Sequence, residues 1–189
     1  MSIEFSAESL YVARNWDTVA EIVEAAQRLR SNMAESLKSL QADLKTREWW
    51  SDEWVYLSWD STQWYITRHG WLSGPYHLVW IGVKGFSPDG VFGLGEPPEL
   101  FVWVSQKQFA LATALAASLE GREGPGEIDQ KPGNGYVVRQ AVAKCLPAEV
   151  QDYFAKAREQ MLAFLDHYAR MADDWDPIVR RHIDGNDGQ

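Results

Sequence analysis

The sequence predicts an α+β fold: a four- to five-stranded, mainly antiparallel sheet packed with two long amphipathic helices, one N-terminal and one C-terminal, and one shorter helix. Three observations lead there. Apolar residues recur at steps of three and four near both ends of the chain, the period of one helix face. The middle changes to short runs rich in aromatic and β-branched residues, the pattern of strands. Those runs follow one another through mostly short connections, which favour antiparallel neighbours.

Taken in order, Ser6 to Arg14 fits either a short helix or an edge strand. The first long helix is expected over 18–45. There Ile22, Ala26, Leu29, Met33, Leu37, Leu40 and Leu44 share a face, and Asp17 or Asn15 could cap the start. At about 1.5 Å per residue it spans roughly 40 Å. An antiparallel meander is expected over 53–106, with strands at Glu53–Asp60, Gln63–His69, His77–Phe86 and Glu99–Gln106. The Gly/Pro-rich stretch before the last strand holds Ser87-Pro88-Asp89-Gly90 and Gly93-Leu94-Gly95, and reads as a wide hairpin loop or a mobile flap.

A shorter helix is expected over 107–120, with Phe109, Leu111, Leu115 and Leu119 apolar and Gly121 ending it. A linker loop over 121–135 follows, then a candidate fifth strand at Gly135–Val142. Pro147 opens a last helix expected over 147–184, with Val150, Phe154, Ala157, Met161, Phe164, Tyr168, Met171 and Trp175 on one stripe. Pro177 should kink or end it, and 185–189 reads as a flexible tail. The whole of 1–189 reads as a single domain. The helical stripes bury most simply against the sheet or each other, and an intermolecular helix pairing is the other use for them.

Composition narrows the function classes. With 27 Asp and Glu against 18 Lys and Arg the net charge is −9, which argues against a broad phosphate-binding surface and leaves room for a basic partner. One cysteine, Cys145, excludes an internal disulfide and a cysteine-built zinc site. The first ten residues show no signal peptide and no apolar run reaches the ~20 residues of a membrane span, so a cytoplasmic protein without membrane attachment is expected.

Eight of the ten tryptophans lie between Trp49 and Trp103. Strand alternation sorts them. One face is aliphatic (Val55, Leu57, Ile66, Val79, Ile81, Val83, Leu100, Val102, Val104) and is expected under the helices. Trp59 and Trp64 fall on that side as core, and Trp49, Trp50 and Trp71 sit at element ends. The other face combines Trp54, Tyr56, Tyr65, Thr67, His69, Trp80, Lys84, Phe101 and Trp103. It is a candidate binding surface, because Trp and Tyr dominate recognition hot spots; a second core layer under a helix is the alternative. A bulge would exchange the faces of any strand.

Catalytic patterns are scarce. His69 and His77 flank a turn and could meet, with Asp60 or Glu53 beside them, but no metal-ligand or acid–base spacing of known mechanism joins them. Asp166-His167 reads as a helix surface, and Cys145 as a buried thiol ahead of a helix. No nucleophile elbow, phosphate loop or dinucleotide fingerprint occurs. Pro88-Asp89 with Asp129-Gln130-Lys131 matches the letters of a nuclease motif, but the second element lies in a Gly/Pro loop. Asp173, Asp174 and Asp176 lack the loop spacing of a calcium site. No catalytic residue, metal or cofactor is expected.

The sequence therefore points to a non-catalytic binding or regulatory protein. It would recognise a protein or nucleoprotein partner, one version being a basic nucleic-acid-binding complex, through an acidic surface and an aromatic face of Trp54, Tyr56, Tyr65, His69, Trp80, Lys84 and Trp103. The alternative is an enzyme or small-ligand receptor with its site around His69, Tyr65 and Lys84. A homodimer through the helical stripes is a third possibility.

Overall fold

The computed structural model of the chain describes residues 6–93, 95–105 and 108–186. The expected tail lies outside these from residue 187 on, while residues 185 and 186 still belong to the last helix. The helices are α1 (Ala7–Arg14), α2 (Trp16–Leu44), α3 (Pro88–Val91), α4 (Phe109–Ser118), α5 (Val150–Ala169) and α6 (Ala172–Asn186). The strands are β1 (Trp54–Asp60), β2 (Gln63–Arg68), β3 (Leu72–Ser73), β4 (Tyr76–His77), β5 (Val79–Lys84), β6 (Glu99–Val104), β7 (Glu127–Ile128) and β8 (Tyr136–Ala141).

The fold is α+β. Its sheet has six strands in the order β1-β2-β5-β6-β8-β7, every pairing antiparallel, and β3 with β4 forms a separate two-stranded hairpin. The strand beyond the expected four or five is β7, two residues inside the glycine-rich stretch that reads as linker. The expected wide loop before β6 contains α3, where the Ser87 hydroxyl accepts from the Gly90 N–H and caps a turn opened by Pro88.

The C-terminal element departs from expectation. It is two helices, broken at Arg170–Met171, and Pro177 lies inside α6 instead of ending it. Proline removes the bond to residue i−4, here the Asp173 carbonyl in the opening turn of α6, where one missing bond leaves the rest of the helix intact.

One apolar core lies between the sheet and the helices. It joins Met33, Leu37, Leu40 and Leu44 of α2 and Met161, Phe164, Leu165 and Tyr168 of α5 to Ile66, Val79, Ile81, Val83, Leu100, Val102 and Val104 of the strands. Helix α4 adds Leu111, Ala112, Leu115 and Ala116, and α6 adds Trp175 and Val179. Arg158 ties α5 to α2, donating to Asp43 at 2.6 Å, to the Ser39 hydroxyl and to the Ser36 carbonyl. Tyr65 and Phe101 are buried yet stand apart from this core, on the opposite sheet face.

The facing of β1 is the main correction. Trp54 and Tyr56 point into the helix-side core, and Val55 and Leu57 to the other side. The hairpin starts with Asp60 opposite Gln63, a register that would set Leu57 opposite Ile66 and so place the aliphatic residues under the helices. A bulge between Ser58 and Asp60 moves the register by one, so that Tyr56 faces Ile66. A one-residue slip exchanges every side chain of a strand. Trp59 is the extra residue, and it is 68% exposed instead of core.

Candidate functional site

The sheet face away from the helices carries a groove of about 690 Å3 lined by Trp59, Gln63, Tyr76, Trp80, Phe101, Trp103, Ser105, Asn134 and Tyr136. Its floor is set by strand pairing. Trp80 on β5 lies directly opposite Trp103 on β6, with ring centroids 4.6 Å apart. On its β2 side Trp80 stacks on Tyr65, at 4.4 Å and 9° between planes, and the bulge brings Trp59 to 5.7 Å. Four rings from β1, β2, β5 and β6 thus form one contiguous apolar patch.

Two glycines shape it. Gly82 lies between Tyr65 and Phe101 in the register, and a Cβ there would sit 2.3 Å from the Trp64 carbonyl oxygen and 2.6 Å from the Tyr65 Cβ. Gly135 takes a φ of 85°, open mainly to glycine, and its missing side chain leaves room for the Trp103 indole.

Two of the three indole N–H groups that line the groove are already engaged. Trp80 Nε1 donates to the His77 carbonyl at 3.1 Å and Trp103 Nε1 to the Asn134 carbonyl at 3.3 Å. An incoming group therefore meets mainly ring faces and edges, and the polar contacts available are the side chains of Gln63, Ser105 and Asn134, the Trp59 indole N–H and the Tyr76 and Tyr136 hydroxyls. Beside the groove, Lys84 donates to the Tyr136 hydroxyl at 2.7 Å and stands 4.3 Å from that ring's centroid. Glu99 accepts a bidentate pair from Arg139 and lies 3.5 Å from Lys84. Two cations share this one carboxylate, so the cluster keeps one net positive charge at the edge of the groove. The Glu99 carboxylate holds the Arg139 pKa above its ordinary value.

Of the residues singled out in the sequence, Tyr65, Trp80, Lys84 and Trp103 meet on this face. Trp54 and Tyr56 do not. The Trp54 ring packs between Trp49 and Trp71, and the buried Tyr56 hydroxyl donates to the Leu37 carbonyl at 2.6 Å. Burial raises the Tyr56 pKa far above its ordinary value. His69 starts a single 3-10 turn, His69–Trp71, and is exposed.

His69 and His77 lie near enough to influence each other, but the candidate carboxylates are engaged elsewhere. Burial lowers the His77 pKa, and the nearby His69 lowers it further. The Glu53 carboxylate is taken by Arg68, and Asp60 accepts from the Thr62 N–H and hydroxyl inside the β1–β2 turn. Asp129 likewise caps a turn through the Lys131 N–H. Asp173 and Asp176 pair with Arg68, and Asp174 with Arg122. Burial raises the Cys145 thiol, and Glu149 adds to it. Among the described residues no three His, Cys, Asp or Glu side chains gather as a metal site would need.

Sequence reading missed Trp59, Tyr76 and Tyr136 as groove residues. Tyr136 carried a usable signal, since it begins the candidate fifth strand after a glycine. Trp59 and Tyr76 carried none, because a bulge and a two-residue hairpin place them. No helix among the described residues is long and apolar enough to cross a membrane. No known protein family matches the chain, and no curated protein or solved structure resembles it.

Proposed function

We propose that the chain is a non-catalytic binding protein that takes a protein partner on the open aromatic face. The observation that carries the reading is Trp80, set between Tyr65 and Trp103 in a groove the helices leave uncovered. Trp80 and Trp103, whose N–H groups are already satisfied, offer apolar contact without a desolvation cost for unpaired donors. Central aromatic anchors with a polar rim are the anatomy of interface hot spots. The ring-lined groove holds none of the charged Lys84, Glu99 and Arg139 side chains, so contact inside it depends little on salt. The net charge of −9 acts at longer range, steering a basic partner inward.

One observation favours a second reading, a small-ligand receptor: about 690 Å3 lies within the range of small-molecule sites, roughly 300–1,000 Å3. Gln63, Ser105 and Asn134 would then orient the ligand.

Native extracts passed over the immobilised chain and over its Trp59→Ala and Trp103→Ala variants test both. A protein retained by wild type and lost with both variants supports the first reading. A protein retained equally by all three overturns it. Quenching of tryptophan emission by a protein-free metabolite fraction, lost in the same variants, moves the assignment to the second.

A further inference from the structure

A different uncovered surface lies at the N-terminal end and does not depend on the groove. Helix α1 buries none of its residues, and α2 buries only Met33, Leu37, Leu40 and Leu44. Residues 7–28 therefore form an arm projecting from the core, which it meets at Leu29. Leu10, Tyr11, Trp16, Ile22 and Val23 on it are all large, apolar and exposed, between 43% and 66%. At 3.6 residues per turn, Trp16, Val19, Ile22, Val23, Ala26 and Leu29 occupy one arc of α2, continuous with the stripe that is buried from Met33 onward. Asp17, Glu21, Glu24 and Arg28 lie across from it.

Local propensity does not explain this arm. Trp16, Thr18, Val19, Ile22 and Val23 are indifferent helix formers, and unpacked helices of this length are marginal in water. The arc needs a surface against it.

We infer that the occupant is a second copy of this chain, its arm laid antiparallel along the first in a twofold pair. Val19, Ile22 and Ala26 alternate steps of three and four, the heptad seam that interlocks with another helix of the same kind, in phase with Leu29 and Met33, which pack in the chain's own core. The five exposed side chains present on the order of 500 Å2 per copy, approaching the roughly 800 Å2 per partner of a standard interface before the flanking alanines are added. The antiparallel sense follows from where the bodies sit. Each arm runs into its own core at Leu29. A parallel pair would force two bodies of charge −9 side by side, whereas an antiparallel pair sets them at opposite ends. A lipid surface fits less well, because residues 7–30 carry Glu8, Asp17, Glu21 and Glu24 against Arg14, Arg28 and Arg30, without the basic excess that anionic membranes attract.

Sedimentation equilibrium of the whole chain from low micromolar to several hundred micromolar tests this. A dimer mass is expected, with Ile22→Glu plus Val23→Glu raising the dissociation constant at least about tenfold. Both side chains are exposed, so the core near-ultraviolet signature should stay unchanged in that variant. Spin labels at Lys38 should lie far beyond the ~10 Å spacing of paired parallel helices. A monomer mass throughout, a dimer indifferent to the double substitution, or labels at close range overturns the proposal. So does a monomer that instead binds phosphatidylglycerol vesicles through the arm.

Discussion

The indole of Trp80 lies nearly flat over the phenol ring of Tyr65, with centroids 4.4 Å apart and planes 9° from parallel. The two residues come from neighbouring antiparallel strands, and Tyr65 pairs with Gly82, two residues along from Trp80. A diagonal aromatic pair of this kind contributes beyond its buried area. A double-mutant cycle with Trp80→Ala and Tyr65→Ala should return a coupling of about 1 kcal/mol in urea unfolding. Additive effects within error would mean that the stack is contact without energetic consequence.

Gly82 is what lets this face close. Its Cβ position meets the backbone of β2, the Trp64 oxygen at 2.3 Å and the Tyr65 Cα at 2.8 Å, and backbone cannot rotate aside as a side-chain end can. Gly82→Ala should therefore cost about 3 kcal/mol, although alanine is ordinarily the better strand residue. A chemical denaturation midpoint equal to wild type would show that the two strands separate freely here.

Buried hydroxyls separate two tyrosines of similar burial. Tyr56 donates to the Leu37 carbonyl at 2.6 Å, while the buried Tyr153 hydroxyl has no partner among the described residues. Burial raises the Tyr153 pKa to about 12, and Cys145 contributes to the same direction. Tyr56→Phe should lose about 1 kcal/mol and Tyr153→Phe should be neutral or gain about as much. Thermal melts of the two single variants should move in opposite directions or, at the least, not together.

The strand runs, the paired order of β1, β2, β5 and β6, and the helix at α2 follow from alternation and spacing that any reader of the chain can check. What alternation could not supply was the parity of β1. The bulged residue Trp59 adds nothing to the hydrophobic pattern, yet it sends Trp54 and Tyr56 into the core and itself to the groove. The same limit explains β7, whose two residues pair with β8 inside a glycine-rich stretch and have no period to read. Four of the seven candidate residues, Tyr65, Trp80, Lys84 and Trp103, were legible because β2, β5 and β6 pair in unbroken register up to the Val102–Trp103 bulge opposite β8.

His77 sets a pH dependence. Its pKa is pushed below the ordinary 6.5, first by burial and further by His69, against an opposing contribution from the Arg68 backbone, and its buried Nδ1 has no partner among the described residues. The unfolded chain then binds a proton at a higher pH than the folded one. Stability is full above about 6.5 and falls as the pH drops from there through the lowered folded value. His77→Asn should flatten the urea midpoint between pH 7 and pH 5 without abolishing the slope, because burial also lowers His167. A variant whose midpoint falls as steeply as wild type would remove His77 from the account.

Arg68 fastens α6 to the sheet. Its side chain is 12% exposed, and its guanidinium bonds Glu53, reaches Asp176 at 2.9 Å and Asp173 at 3.2 Å, and lies 5.7 Å from the Trp54 ring centroid. Asp176 also accepts the Trp71 indole N–H at 2.7 Å, so this carboxylate joins two elements around a fully buried ring. Its side chain is 23% exposed, whereas that of Asp173 is 94% exposed. Removing the arginine strands a partly buried carboxylate, and Arg68→Ala should lose about 2–3 kcal/mol. Asp173→Ala should leave the denaturation midpoint where it was, since an exposed partner holds little against solvent. Salt separates the two contributions: the loss in Arg68→Ala should persist at high ionic strength, because most of that contact is shielded from solvent ions. A loss that vanishes in concentrated salt would place the Arg68 cluster among the weak surface pairs.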